Sequence, residues 1–227
     1  MVRILLIIFY LAFTSVMFST DFGLSLGGGL AQAYGSKEQA VDYDIDIKPY
    51  PVFRAGLFAE YLITDNMSLV QEVIYSQKGS KQTIKVKDQP VNFDLQYDLY
   101  YIEVPFLIKY DLFKLNQTQI RSFVGFSFSY LLDAYYDLDG SVQIGTDDDM
   151  SIVTLQDSYR MKNLDEFDYS LLYGFSTDLQ HLGIPIGLEY RFSLSWYKIN
   201  FPTYSDMEPV VLSNQSHILT FNYKFWN

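Results

Sequence analysis

Nine charged side chains recur at alternate positions of otherwise apolar segments, and they are the residues best placed to do chemistry. They are Arg54, Glu60, Glu72, Glu103, Lys109, Arg121, Glu189, Arg191 and Lys224. Two adjacent carboxyl groups could share a proton and act as general acid and base. Five of the nine are basic and four acidic, which favours ion pairs, because an unpaired charge in a narrow interior is costly. We predict either an interior plug or a gated polar conduit, and we favour the plug.

Catalysis of the serine-histidine type would need a histidine beside a serine or a carboxylate. The chain has two histidines, His181 and His217. His181 falls in a short predicted turn. His217 follows Ser216, but neighbouring residues of a strand point to opposite faces. We therefore predict no catalytic residues, no cofactor and no metal site, and keep an enzyme acting on envelope lipid as the less favoured alternative.

Five aspartates lie close together in the second half of the chain: Asp137, Asp139, Asp147, Asp148 and Asp149. The spacing of Asp137 and Asp139 resembles a calcium loop, but the expected third ligand and closing glutamate are missing. We predict a solvated acidic outer loop. Binding of divalent cations that bridge to lipopolysaccharide, or of a basic partner, remains an alternative.

The charged residues depend on β-strands for their placement, because apolar residues alternate with small or polar ones throughout the chain. In the clearest case, Tyr100, Ile102 and Phe106 share one face and Glu103 and Lys109 the other. This period of two predicts eight strands, at 22–31, 52–62, 67–76, 97–110, 120–132, 167–178, 184–197 and 216–226.

The apolar face of these strands is too bulky for a narrow core. The chain contains 20 Tyr and 18 Phe, more than the inside of an eight-stranded barrel could hold. A lipid-facing wall with aromatic girdles uses many such residues. The sequence thus predicts an all-β fold, an eight-stranded antiparallel up-and-down transmembrane β-barrel with its small and charged residues inside, in preference to a soluble sandwich or lipocalin-like barrel.

The connections between the predicted strands alternate in length. The long ones are 32–50, 79–96, 137–166 and 198–213, and the short ones are 63–66, 111–119 and 179–183. Outer-membrane barrels alternate long outer loops with short periplasmic turns. The alternation places both ends of the barrel domain on the periplasmic side.

The first twenty residues resemble a secretory signal. Arg3 precedes a stretch of about ten apolar residues, and small polar residues follow before Asp21. That stretch is shorter than the roughly 18 residues a helix needs to span a bilayer. We predict a cleaved signal peptide over 1–20 and a single barrel domain over 21–227.

Charge and composition restrict the classes of partner and the chemistry that we expect of this protein. The net charge is −11 at pH 7, which argues against nucleic acid, because binding to phosphates needs a basic surface. There is no cysteine, which excludes thiol chemistry. We expect a monomer in the cell outer membrane whose partners are membrane lipid and, through the outer loops, an envelope protein.

Three segments carry a family resemblance: Phe-Arg-Ala-Gly-Leu-Phe-Ala-Glu-Tyr at 53–61, Glu-Val-Ile-Tyr-Ser-Gln-Lys-Gly at 72–79, and Tyr-Ile-Glu-Val-Pro-Phe-Leu-Ile-Lys-Tyr at 101–110. They are similar to the outer-membrane β-barrel domain family that includes the PorT-like proteins, and the likeness covers nearly all of the mature chain. It implies an integral outer-membrane protein without catalytic residues, in a family with some members linked to secretion-system assembly.

Overall fold

The fold was analysed in a computed structural model of the chain. It describes residues 21–34, 43–86, 91–116, 118–144, 151–161, 164, 166–179, 183–196, 199–200 and 211–226. The predicted signal peptide lies outside these residues. Within the described part of the chain, no helix has the length and apolarity needed to cross a membrane.

The described residues form antiparallel strands: β1 Asp21–Tyr34, β2 Tyr43–Lys48, β3 Tyr50–Thr64, β4 Met67–Val86, β5 Val91–Leu115, β6 Thr118–Ile144, β7 Ser151–Arg160, β8 Phe167–Asp178, β9 Ile186–Ser195, β10 Ile199–Asn200 and β11 Val211–Trp226. Eight of them form a ring in the order β1-β3-β4-β5-β6-β8-β9-β11, which closes by pairing of β11 with β1. The prediction of an eight-stranded up-and-down barrel is confirmed.

The three remaining strands continue three strands of the ring. β2 pairs with β4 beyond the end of the β3 pairing, and β7 continues β8 along β6 in the same way. β10 continues β9 along β11. The barrel wall therefore consists of eight stretches of chain, three of which are interrupted.

The two ends of the barrel differ. At one end lie Asp21, Trp226 and the turns between β3 and β4, β5 and β6, and β8 and β9. Two of these turns use a left-handed residue, Asn116 with φ 58° and Gly183 with φ 76°, types that tolerate this conformation. We call this end the turn end.

The other end carries a sheet where long loops were predicted. Residues 43–48, 79–86, 91–98, 135–144 and 151–160 pair in the order β2-β4-β5-β6-β7, and we call them the rim sheet. The predictions of loops over 79–96 and 137–166 were therefore largely wrong. Asp137 and Asp139 lie in β6, whereas Asp147, Asp148 and Asp149 lie outside the described residues. Strand pairing continues here although the outward side chains turn polar, so the alternation that marks a lipid-facing strand disappears.

Candidate functional site in the barrel interior and at its rim

The nine charged residues predicted to face inward fall into two groups. Arg121 and Lys224 are half-buried, and the other seven are buried: Arg54, Glu60, Glu72, Glu103, Lys109, Glu189 and Arg191. Some of their hydrogen-bonding partners on the same face are small, as Ser68 is for Glu60 and Ser129 is for Glu103. These small residues leave room in the lumen for the long ionic side chains.

A central cluster of ion pairs crosses the barrel. Glu72 on β4 accepts from Arg54 on β3, Nη2 to Oε2 at 2.8 Å, and from Arg191 on β9, Nη1 to Oε2 at 2.7 Å and Nη2 to Oε1 at 3.0 Å. Arg191 also pairs with Glu189, and Lys109 Nζ on β5 lies 3.1 Å from Glu189 Oε2. These contacts join four strands across the lumen, and the bidentate arginine fixes their geometry.

A second cluster lies nearer the rim, around Lys78, which the sequence analysis did not single out. Its Nζ lies 2.8 Å from both Glu103 Oε1 and Asp168 Oδ2. Asp168, at the start of β8, also has an inward position in the alternation, but at the sequence level a strand end is expected to be open to water; it is only 2% exposed and accepts a hydrogen bond from Ser195 Oγ at 2.5 Å. We call the even or odd numbering that decides which face a strand residue points to its parity. Lys78 shares the parity of Glu72 and Ser76, so the alternation, continued past position 76, would have predicted that Lys78 points inward.

A third cluster lies at the turn end. Arg121 Nη1 is 2.7 Å from Glu60 Oε1, and Arg121 also pairs with Asp178. Lys224 Nζ contacts Asp21 Oδ2 at 2.8 Å and Asp178 Oδ2 at 3.3 Å. Apart from the buried Glu60, these groups are partly exposed, and solvent screens them more than it screens the central cluster.

Apolar side chains share the lumen with these ionic clusters, although the interior was predicted to hold only small and charged residues. One apolar cluster consists of Phe58, Val70, Leu107, Phe123 and Leu172, and another of Ala33, Tyr97, Leu99, Tyr101 and Ala134. Along β3 the order from the turn end is Glu60, Phe58 and Arg54, so ionic and apolar layers alternate. The cations rest on aromatic rings: Arg191 lies 5.5 Å from the ring centre of Phe123, and Lys78 lies 4.9 Å from that of Tyr101.

The outer surface is a continuous apolar belt. Phe126, Tyr190 and Phe221 point outward and are about half exposed. On β5 the belt runs between Tyr100 and Tyr110. Ten residues span about 34 Å of strand, or about 25 Å across a membrane at the usual tilt, the height of a barrel's apolar band.

His217 points away from the interior. It is exposed, and its Nδ1 lies 2.7 Å from the hydroxyl oxygen of Tyr190 on the same outer face. Ser216 is buried on the opposite face, as the parity predicted. His181 lies outside the described residues. Within the described ranges, no group of three or more acidic, histidine or cysteine side chains is placed to hold a metal ion.

The outward face of the rim sheet is polar and carries both charge signs. Lys81 Nζ is 2.9 Å from Asp94 Oδ2, and Thr83 Oγ1 donates to Asp94 Oδ1 at 2.8 Å. These hydrogen bonds from Lys81 and Thr83 lower the pKa of Asp94 below its ordinary value. Asp137 and Asp139 are exposed on β6 of the same sheet.

The sequence matches a family model described as the outer membrane protein beta-barrel domain over residues 9–197. Comparison with curated protein sequences gives no match. Among solved structures, the chain is similar to Neisserial surface protein A, with 16% identity, a TM-score of 0.41 and coverage of 90% of this chain and 97% of that one. It is also similar to the attachment invasion locus protein Ail of Yersinia pestis, with 8% identity, a TM-score of 0.38 and coverage of 91% of this chain and 99% of that one. The outer membrane protease OmpT of Escherichia coli is similar with 10% identity, a TM-score of 0.36 and coverage of 90% of this chain and 95% of that one.

Proposed function

This chain belongs to the outer membrane protein beta-barrel domain family and resides in the outer membrane, and on that premise we propose that it is a plugged, non-enzymatic barrel that binds an envelope partner through its rim sheet. The PorT-like resemblance supports a role of this kind in envelope assembly. Outer-membrane lipid surrounds the belt, and the barrel acts as a monomer.

The main support for a plugged lumen is the burial of the central cluster. Its side chains bridge the lumen from three strands, and four of them are each at most 3% exposed: Arg54, Glu72, Glu189 and Arg191. Eight strands leave an interior only just wide enough for side chains. The apolar cluster that contains Phe123 fills the next layer. These layers of described residues support a lumen that is closed to hydrated ions.

The placement of His217 supports the absence of catalysis. Its ring lies on the lipid-facing side against Tyr190 and Phe192, while Ser216 points inward. A nucleophile and its base must come within hydrogen-bonding reach of each other. The described carboxylates of the interior are instead bound to arginine and lysine.

A plugged lumen predicts that the barrel does not conduct ions. In planar bilayers we expect the purified, refolded chain to give no conductance steps above the protein-free baseline, because the central cluster closes the lumen. Heat-modifiable migration of the same preparation on gels is the control for a folded barrel. Reproducible unitary steps that scale with protein concentration would contradict the plug and favour a small channel.

The proposed role also requires that the rim sheet face the cell exterior. The chain has no cysteine, so single cysteines can be placed at Gln156 on the exposed β7 and at Lys114 near the turn end. A maleimide coupled to a polymer too large for porins is expected to label Gln156→Cys in intact cells and Lys114→Cys only after the outer membrane is permeabilised. The reverse pattern would overturn the orientation.

A further inference from the structure

One edge of the rim sheet is open. β7 pairs with β6 along its whole length, from Ser151 opposite Ile144 to Arg160 opposite Tyr135. In the part of the chain that the structure describes, no strand pairs with the other edge of β7. β8, which continues β7 along β6, is paired on both sides, with β6 and β9. Along β7, about half of the backbone N–H and C=O groups therefore point away from the sheet.

β7 lacks several features that protect exposed edges from further pairing. It contains no proline and no lysine, and its pairing with β6 runs over ten residues without a bulge. All of its side chains that the structure describes are exposed. By contrast, β2 at the opposite edge is six residues long, and half of these are charged: Asp44, Asp46 and Lys48. Short strands and charged side chains discourage pairing at an edge, so we expect an added strand at β7 rather than at β2.

The sheet beside this edge carries negative charge that is not neutralised. Asp137 and Asp139 on β6 are exposed. They form no ion pair with a residue that the structure describes, whereas their neighbours Asp94 and Asp133 are paired. Asp139 lies directly opposite Asp94 on β5, a position in which like charges destabilise a sheet. Asp157 adds an exposed carboxylate on the edge strand itself. Positive charge on a partner would relieve this repulsion.

We propose that β7 adds an extended, basic segment of an envelope protein as a further antiparallel strand of the rim sheet. The inference rests on the proposed partner-binding role of this sheet and specifies how the partner is held. Ser158 on β7 lies opposite Asp137. A residue of the added strand beside Ser158 lies two strand spacings, about 10 Å, from Asp137, and the long stem of a lysine or arginine extends across the short serine. Backbone hydrogen bonds supply affinity, and the aspartates select positive charge.

A second copy of this chain fits the edge less well. Two copies in one membrane have the same direction relative to the membrane normal, so their β7 strands could pair only in parallel, the less stable arrangement. Such a pair would also bring two copies of the acidic Asp157 to one junction. The direction of a strand from a different protein is not fixed in this way.

The test uses the full-length, refolded barrel in nonionic detergent, where both ends are open to solvent and orientation in the cell plays no part. The probe is a fluorescent ten-residue peptide of alternating lysine and valine, whose lysines share one face when it is extended. Its binding is followed by fluorescence anisotropy. We expect a fully N-methylated version, which keeps the charge but cannot donate backbone hydrogen bonds, to bind about tenfold or more weakly. A glutamate and valine peptide is expected to bind as weakly.

Variants of the barrel test the charge and the place. We expect Asp137→Asn/Asp139→Asn to bind the lysine peptide about three- to tenfold more weakly, because two exposed ion pairs are lost. Asp65→Asn removes an exposed aspartate at the turn end and is expected to bind as the native chain does. A cysteine placed in the middle of the peptide is expected to form a disulfide with Ser158→Cys on β7 and not with Lys48→Cys on β2.

Absence of binding to the native chain would overturn the proposal, as would equal affinity for the N-methylated peptide or an equal loss in Asp65→Asn. Crosslinking at Lys48→Cys instead of Ser158→Cys would also overturn it. Disulfide-linked dimers of Ser158→Cys without peptide, formed faster than those of Lys114→Cys, would assign the edge to a second copy and overturn it. Heat-modifiable migration checks that each variant is folded. Failure of the plug is seen separately as conductance, and failure of the orientation as reversed cysteine labelling in cells.

Discussion

Replacing Glu72 by glutamine is expected to lower the free energy of unfolding by about 3–5 kcal/mol, the usual cost of breaking a buried ion pair from one side. Glu72 neutralises both Arg54 and Arg191 in a part of the lumen where none of the three is more than 3% exposed. Without its charge, two guanidinium groups face each other, and among the described carboxylates Glu189 and the more distant Glu103 are left to balance them. The measurement is reversible urea unfolding in lipid vesicles, followed by the fluorescence of Trp196 and Trp226.

A charge-matched variant separates this effect from the loss of one hydrogen bond. Glu72→Gln/Arg54→Gln restores the charge balance of the cluster, so we expect it to recover part of the lost stability, because contacting residues are not additive. Lys224→Gln, in the partly exposed cluster at the turn end, is expected to cost less than about 1 kcal/mol. A loss below about 1 kcal/mol in Glu72→Gln would show that water reaches the centre and that the interior is not plugged.

The faces of the strands could be predicted from the sequence because side chains alternate strictly along a strand. Parity alone placed Arg54, Glu103 and Arg191 inside, where they are buried. The ion-pair partners could not be predicted in this way. Arg191 and Glu72 are 119 residues apart, and their meeting depends on the stagger of the strands around the ring.

Lys78 and Asp168 were missed for a different reason. Both lie at inward positions near the points where the outward apolar pattern ends. Lys78 was placed beyond the end of its strand, and Asp168 was taken as a strand end open to water. The lipid imposes that pattern only as far as the bilayer extends. Backbone pairing in β4, β5 and β6 continues beyond it, so the height of the membrane and the length of the strands are separate quantities.

The apolar clusters of the interior could not be predicted from the alternation of side chains either. Phe58, Leu107 and Leu172 have the parity of the charged residues, and parity does not distinguish a buried apolar position from a buried ionic one. What decides between them is the depth at which each side chain meets its neighbours across the lumen. Alternating ionic and apolar layers give each charge partners at its own level and a dry layer beside it, which strengthens the ion pairs.

Phe126→Arg is expected to destabilise the membrane-inserted barrel by about 2–4 kcal/mol, the cost of arginine at the bilayer midplane. Phe126 is 49% exposed on the outer surface and stacks on Phe106 at 5.5 Å, midway along the belt between Tyr100 and Tyr110. The arginine would replace an aromatic side chain in contact with acyl chains, where its charge has no water and no partner. Urea unfolding in vesicles measures the loss.

The control for this substitution is the same change at a position that lies nearer the edge of the membrane. Leu115→Arg alters a more exposed residue, 63% against 49%, beyond Tyr110 at the turn end. There the same change is expected to cost about 0–1 kcal/mol because the side chain reaches the interface. Phe126→Leu keeps an apolar surface and tests the lost ring contacts alone. If Phe126→Arg were tolerated as well as Leu115→Arg, the belt would lie in water, since only a hydrocarbon environment distinguishes the two positions.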